Sequence, residues 1–306
     1  MKLLPSTSAL NRRQALASTA AAAAGCLIPA TSGAQTGDAS RDTVLDRFWI
    51  FTCTANNDYP HLRKRSVMTP VEGAFYLGVP NIIVVQSSVD EAPYGRFDPP
   101  FAQYTIAMRP LKRVVWSVVG SGGFTSEAET EEVLALPKKT ANFAGIMLDD
   151  FFFTREKNGQ LAVWTVEQLA DLRRRLKEID EALDIYATVY TRLLGLPIND
   201  YLELIDVITL WTHDPADLAK LEQDLKRVEK LAPRKRIMQG CYVVDYGTKS
   251  SVPPSAMRGQ CDKGLEWLRE GRTVGMIFLG NTAMDLGFEA VEWTRQWIQK
   301  VGDSRL

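Results

Sequence analysis

From residue 47 onward, short continuous apolar runs alternate with stretches whose apolar residues recur every three or four positions. The runs are Arg47–Thr54, Asn81–Gln86, Arg113–Val119, Phe143–Leu148, Asp184–Tyr190, Asp206–Trp211, Arg236–Val244 and Val274–Leu279. Helical patterns follow them at Val71–Leu77, Phe101–Met108, Ser126–Lys139, Thr165–Ala182, Ile198–Leu204, Pro215–Leu231, Pro254–Glu270 and Leu286–Val301. The runs are rich in Val and Ile and lack polar alternation, which is how a parallel strand covered on both faces reads. Strand–helix alternation indicates βαβ units. Eight such units predict a single α/β domain, a closed (β/α)8 TIM barrel over residues 46–306. The competing architecture, a doubly wound sheet, lacks its main support, because no G-x-G-x-x-G follows the first strand and no P-loop appears.

In the fourth helix, Thr165 and Gln168 have the spacing of a capping box. Leu169, Leu172, Leu176 and Ile179 then form one apolar stripe, and Arg173–Arg175 read as a solvated face.

The N-terminus follows a different pattern. Asn11-Arg12-Arg13-Gln14-Ala15-Leu16 is similar to a twin-arginine export signal, with Ala15 where such signals usually carry Phe. An alanine-rich apolar run extends to Ala30, and Ser32-Gly33-Ala34 offers small residues for cleavage. Residues 1–34 are therefore expected to be a signal peptide and residues 35–45 a flexible segment, with a periplasmic or secreted product. An ordinary Sec signal, an uncleaved anchor and a lipoprotein site at Cys26 are the other readings. No later stretch reaches the ~20 apolar residues of a membrane span. A net charge of -1 without a basic half argues against a nucleic-acid partner. Cys53, Cys241 and Cys261 are dispersed and read as small buried hydrophobes, with one disulfide as the alternative. Nothing in the sequence demands a cofactor or a metal.

In this fold, function gathers at the C-terminal ends of the strands. Read that way, one rim collects Asn56, Asp58 and Tyr59 after the first strand, Asp149-Asp150 after the fourth and Tyr190 and Arg192 after the fifth. Trp211 and His213 follow on the sixth, Asp245 and Tyr246 on the seventh, and Asn281 and Asp285 on the eighth; Trp116 on the third strand joins them as a candidate. Carboxylates, amides and rings are the composition of a carbohydrate cleft. Gly120-Ser121-Gly122-Gly123 reads as a flexible βα loop, and His61 in its basic loop as a surface residue.

Asp149-Asp150 is the sharpest feature. Two carboxyls after a buried strand need partners or a purpose, and like charges held close push one proton affinity up. One proton-bearing carboxyl beside an ionised one suits acid/base work on a glycosidic bond. The structural alternative has one Asp capping the next segment and the other bound to Arg155 or Arg192; a metal-ligand role also stays open.

Phe143-Ala144-Gly145-Ile146-Met147-Leu148-Asp149-Asp150 resembles the strand-four motif of retaining glycosidases that use the substrate's own acetamide as nucleophile, in particular the O-linked N-acetylglucosamine hydrolase family. That resemblance implies that Asp149 orients and polarises the acetamide and that Asp150 is the general acid/base. Most of the chain after the N-terminal signal also resembles a barrel family of exported bacterial proteins, on the Val-Val-Trp-Ser-Val-Val-Gly run at 114–120, the Asp pair, Arg236–Gly247 and Glu289–Arg295; it implies the fold and export, and no activity. The expected function is an exported glycoside hydrolase. The alternatives are a sugar isomerase, epimerase or lyase, and a barrel that binds carbohydrate without turnover.

Overall fold

The computed structural model describes residues 42–56, 58–59, 64–87, 96–157 and 159–306. The expected signal peptide, residues 35–41 and His61 lie outside the described residues. Eight parallel strands close into a barrel. They are β1 (Phe48–Thr52), β2 (Asn81–Val84), β3 (Arg113–Val119), β4 (Phe143–Leu148), β5 (Asp184–Tyr190), β6 (Val207–Trp211), β7 (Arg236–Cys241) and β8 (Gly275–Leu279). Each strand pairs with the next in sequence, and β8 returns to β1 with Phe48 opposite Met276.

The barrel starts earlier than the sequence suggests. Thr43 bridges to Arg305, the Val44 N–H donates to the Ser304 carbonyl (2.9 Å), and Val44 is fully buried. These contacts tie residues 43–47 to the C-terminus. β7 ends three residues before the predicted boundary, and Val244–Asp245 instead pairs antiparallel with Ser250–Ser251.

The surrounding helices are α1 (Pro70–Leu77), α2 (Ala102–Met108), α3 (Glu127–Leu134), α4 (Val166–Ile179), α5 (Asn199–Leu204), α6 (Leu221–Leu231), α7 (Pro254–Arg269), the short α8 (Asn281–Met284) and α9 (Glu289–Val301). Thr165 caps α4 as its spacing predicts: its hydroxyl accepts from the Gln168 N–H, and its own N–H donates to Gln168 Oε1 (2.8 Å). Leu169, Leu172 and Leu176 bury the facing stripe. Arg173 departs from the expected solvated run. It donates to the Leu204 carbonyl and pairs with Asp206 (2.8 Å), while Arg174 bridges Asp171 and Glu178. Among the described residues no helix is long and apolar enough to cross a membrane.

The core has two layers because alternate strand residues face opposite ways. Trp49, Ile83, Val115, Met147, Tyr186 and Ile277 fill the barrel interior. Ile50, Ile82, Val114, Trp116, Ile146 and Phe278 pack outward against the helices. Both layers are predominantly apolar, which is why the strands show no regular polar alternation in sequence.

Candidate active site

At the C-terminal ends of the strands the interior layer gives way to a cleft of about 410 Å³. Its floor is apolar: Phe51 from β1, Trp211 from β6 and Leu279 from β8, beside Cys53. The Phe51 and Trp211 rings meet edge-on at 5.5 Å, and the Trp211 indole N–H donates to Thr209 Oγ1 (3.0 Å). The indole lies flat over Gly240, where an added Cβ would stand 2.0 Å from Trp211 Cδ2. Gly240→Ala is therefore expected to tilt the indole into the cleft. Overpacking of this kind costs roughly 1–3 kcal/mol; thermal unfolding should register it, and ligand affinity should fall with it.

One wall carries the acidic pair. Interior parity runs through Met147 to Asp149, so Asp149 points inward, where it is 5% exposed and accepts from Thr188 Oγ1 (3.0 Å). Asp150 would face outward if the strand continued. Its backbone instead turns left-handed (φ 44°), and both carboxyls open onto the same cleft. Asp and Asn tolerate this conformation better than other side chains with a Cβ. Asp150 Oδ1 accepts from the Tyr190 hydroxyl (2.6 Å) and Oδ2 from the Gly122 N–H (2.9 Å). Gly122 is itself left-handed (φ 69°), in a tight 3-10 turn over Ser121–Gly123, so the glycine run read as a flexible loop is a fixed donor.

Burial, and then the charge of Asp150, push the Asp149 carboxyl well above the usual carboxylate range. Burial likewise keeps the Tyr190 phenol protonated far above its ordinary value, preserving it as a donor to Asp150. Burial and the two nearby carboxyls push the Cys53 thiol up to about 12, so it is a neutral lining group and not a thiolate nucleophile. Among the described residues neither Asp149 nor Asp150 forms an ion pair with Arg155 or Arg192; their carboxyl oxygens accept from Thr188, Tyr190 and Gly122 instead. No three side chains of His, Cys, Asp or Glu gather as a metal-binding group among the described residues.

The opposite wall is aromatic. His213 stacks on Tyr246 (5.6 Å, 19°) and meets Tyr242 edge-on (5.7 Å); Tyr242 in turn contacts Trp211 (5.0 Å). Desolvation and then the Arg192 charge hold the His213 imidazole below its ordinary value, which favours the neutral ring.

The structure thus brings Asp149, Asp150, Tyr190, Trp211, His213 and Tyr246 to one cleft. Other candidates fall elsewhere. Trp116 is corrected: it is fully buried on the outward side of β3, stacked on Phe101 at 5.1 Å, because Val115 and Ser117 take the inward positions. Asn281 is buried and staples β8 to the loop after β1, accepting from the Cys53 N–H and donating to the Cys53 and Met68 carbonyls. Asp285 accepts from the Val67 N–H, and Asp245 accepts from the N–H groups of Gly247 and Thr248 in its own turn. Asn56 is exposed and left-handed (φ 60°). The Asp58–Tyr59 backbone pairs with Lys64–Arg65, and the side chains of both lie outside the description. Arg192 stands just outside the cleft, its guanidinium 4.1 Å above the Tyr190 ring. Cys53, Thr188 and Tyr242 line the cleft without having been singled out as site residues. Thr188 was findable, since it lies two residues before Tyr190 and shares its face.

No protein-family profile and no curated protein matches the chain. Solved structures do. The glycoside hydrolase domain of PgaB (BpsB) from Bordetella bronchiseptica aligns over 84% of this chain and 99% of its own, at TM-score 0.53 and 9% identity. A putative alpha-L-fucosidase from Bacteroides thetaiotaomicron aligns over 83% and 95%, at 0.52 and 10%. A xylanase-A-amylase inhibitor protein (XAIP-III) aligns over 83% and 98%, at 0.51 and 12%. In a larger glycosyl hydrolase family 2 protein from Bacteroides cellulosilyticus the chain covers 28% of the length. At such identities the likeness is one of fold alone, a (β/α)8 barrel.

Proposed function

We propose that the chain hydrolyses a glycosidic bond, with Asp149 and Asp150 as its acid/base pair and a 2-acetamido sugar as its substrate. The observation that carries this reading is the pair itself: two adjacent carboxyls, held by different partners, opening onto one aromatic-walled cleft. The general mechanisms of glycoside hydrolysis place two carboxyls on either side of the scissile bond. Adjacent residues at one strand end occupy one wall, and among the described residues no other Asp or Glu lines the cleft. The nucleophile on the far side is then best supplied by the substrate, and a 2-acetamido oxygen is placed to do it.

Burial, then the Asp150 charge, raise the proton affinity of Asp149, so the pair holds a proton while the cleft is empty. An acetamide N–H donating to Asp149 stabilises its anion and leaves the proton with Asp150, which passes it to the leaving oxygen as the glycosidic C–O bond breaks. The acetamide oxygen bonds to the anomeric carbon, forming a cyclic oxazolinium. Asp150, now a carboxylate, takes a proton from the water that opens this ring, and the Tyr190 hydroxyl steadies its charge. Trp211, Tyr242 and Tyr246 give the cleft aromatic surface of the kind a pyranose packs against. The neighbours named as a glycoside hydrolase domain and a putative fucosidase support a hydrolase on this barrel; the inhibitor among them supports the competing reading, a barrel that binds without turnover.

The deciding experiment is hydrolysis of matched aryl glycosides with and without the N-acetyl group. Turnover of the N-acetylated members alone is the expected result. Turnover confined to the 2-hydroxy sugars would remove the acetamide from the mechanism, and binding with no turnover of either series would favour the non-catalytic barrel.

A further inference from the structure

Beyond Asp150 and Tyr190, on the outer side of the same wall, lies a second groove of about 470 Å³. The hairpin strand Phe152–Lys157 in the loop after β4 forms much of it, and Arg192 from the loop after β5 closes it. Its cations are Arg155, Lys157 and Arg192; its acidic groups are Glu156 and Asp150, the latter already bonded to Tyr190 and Gly122. Arg192 rests on the Tyr190 ring, and the Lys157 ammonium stands 5.5 Å from the centre of the Phe153 ring.

Neither Arg155 nor Arg192 has a carboxylate partner among the described residues. Elsewhere several arginines are paired: Arg174 with Asp171 and Glu178, Arg236 with Asp184, Arg272 with Glu222 and Glu229. Two guanidiniums left open in a concave, partly aromatic groove form an anion-binding arrangement, since the planar fork of Arg matches carboxylate and sulfate oxygens. Tyr190 lines both cavities, so Arg192 above its ring stands at the boundary between the two.

We infer that this groove is the subsite for the leaving-group side of the substrate, and that the sugar held there carries an anion, a carboxylate or a sulfate, gripped by Arg192 and Arg155. The assignment of sides rests on the hydrolase reading above: Asp150 belongs to both cavities, so a bond protonated by Asp150 has one sugar in each. The groove also gives that sugar a ring to lie against in Phe153.

The test is retention of the whole protein on immobilised acetamido-sugar oligosaccharides in three series: neutral, uronate-bearing and sulfated. The wild type is expected to hold one acidic series about tenfold or more tightly than the neutral one, the scale of a charge-assisted contact, and which acidic series wins identifies the anion. Arg155→Gln with Arg192→Gln should erase the acidic-over-neutral ratio, while Arg192→Lys, keeping charge without the fork, should erase part of it. Unfolding midpoints of the variants check that these exposed changes leave the fold intact. Equal retention of all three series, no retention of any, or a preference that survives the double change would each overturn the inference. Acidic preference without hydrolysis would keep the subsite and reject the hydrolase; hydrolysis of neutral chains without acidic preference would do the reverse.

Discussion

Asp150→Asn is expected to lower kcat/KM on an N-acetylated aryl glycoside by at least about 100-fold, within the roughly 10²–10⁴ that a positioned acid/base group supplies, while the unfolding midpoint stays close to that of the wild type. The two halves of this expectation have separate causes. Asn cannot hold or deliver the proton. It does, however, keep the local structure. Asp150 sits at φ 44°, a conformation Asn adopts at little cost. The Asn carbonyl can accept the Gly122 N–H bond that Oδ2 accepts now, and its amide can donate to the Tyr190 oxygen, the phenol turning to serve as acceptor. Asp150→Ala loses both bonds and meets the left-handed penalty of roughly 1–2 kcal/mol, so it mixes folding with chemistry and is the poorer probe. Turnover by Asp150→Asn within a few-fold of the wild type, in a folded protein, would remove Asp150 as the proton carrier.

The barrel was readable because its strands and helices repeat, and because burial on both faces leaves continuous Val- and Ile-rich runs. The same continuity hides which strand residues point inward. On β3, Val114, Val115, Trp116 and Val118 are all apolar, and the inward set is revealed only by barrel closure, which turns Val115 in and Trp116 out. The strand-end rule places Asp149, Asp150, Tyr190, Trp211, His213 and Tyr246 at the rim where the cleft lies, since position along a strand fixes the rim whatever the facing. It could not separate rim residues that face the cleft from those that stitch loops together. Asn281 and Asp285 have the chemistry of site residues, yet their side chains bond backbone groups contributed by Cys53, Met68 and Val67, more than two hundred residues away in sequence. The left-handed turn at Asp150 was likewise invisible as a sequence signal; it alone reconciles two neighbouring residues with one cleft. Gly122 reads as flexibility in one dimension and as a fixed N–H donor in three.

Asp149→Asn should change how stability depends on pH. In the unfolded chain Asp149 titrates near its ordinary value of 3.8, whereas burial and the Asp150 charge hold it protonated to much higher pH in the folded protein. Between those two values the folded state binds a proton that the unfolded state has released, so stability falls as pH rises through the window and levels off above the folded value. Below the unfolded value the group contributes no pH dependence. The slope is about 1.4 kcal/mol for each pH unit of the window, and a kcal/mol moves the midpoint of a chain of this size by roughly 2–4 °C. Asn carries no charge, and its carbonyl can still accept from Thr188 Oγ1, so the variant keeps the bond and loses the penalty. Its midpoint should match the wild type near about pH 4 and rise progressively above it as the pH climbs through the window. Activity should fall in the same variant, because Asp149 is the group that shares the pair's proton, giving a protein that is more stable at neutral pH and less able. A difference between variant and wild type that does not change with pH would mean that Asp149 is ionised in the folded protein after all. The proton would then have to reside on Asp150 before substrate binds, and the exchange between the two carboxyls would drop out of the mechanism.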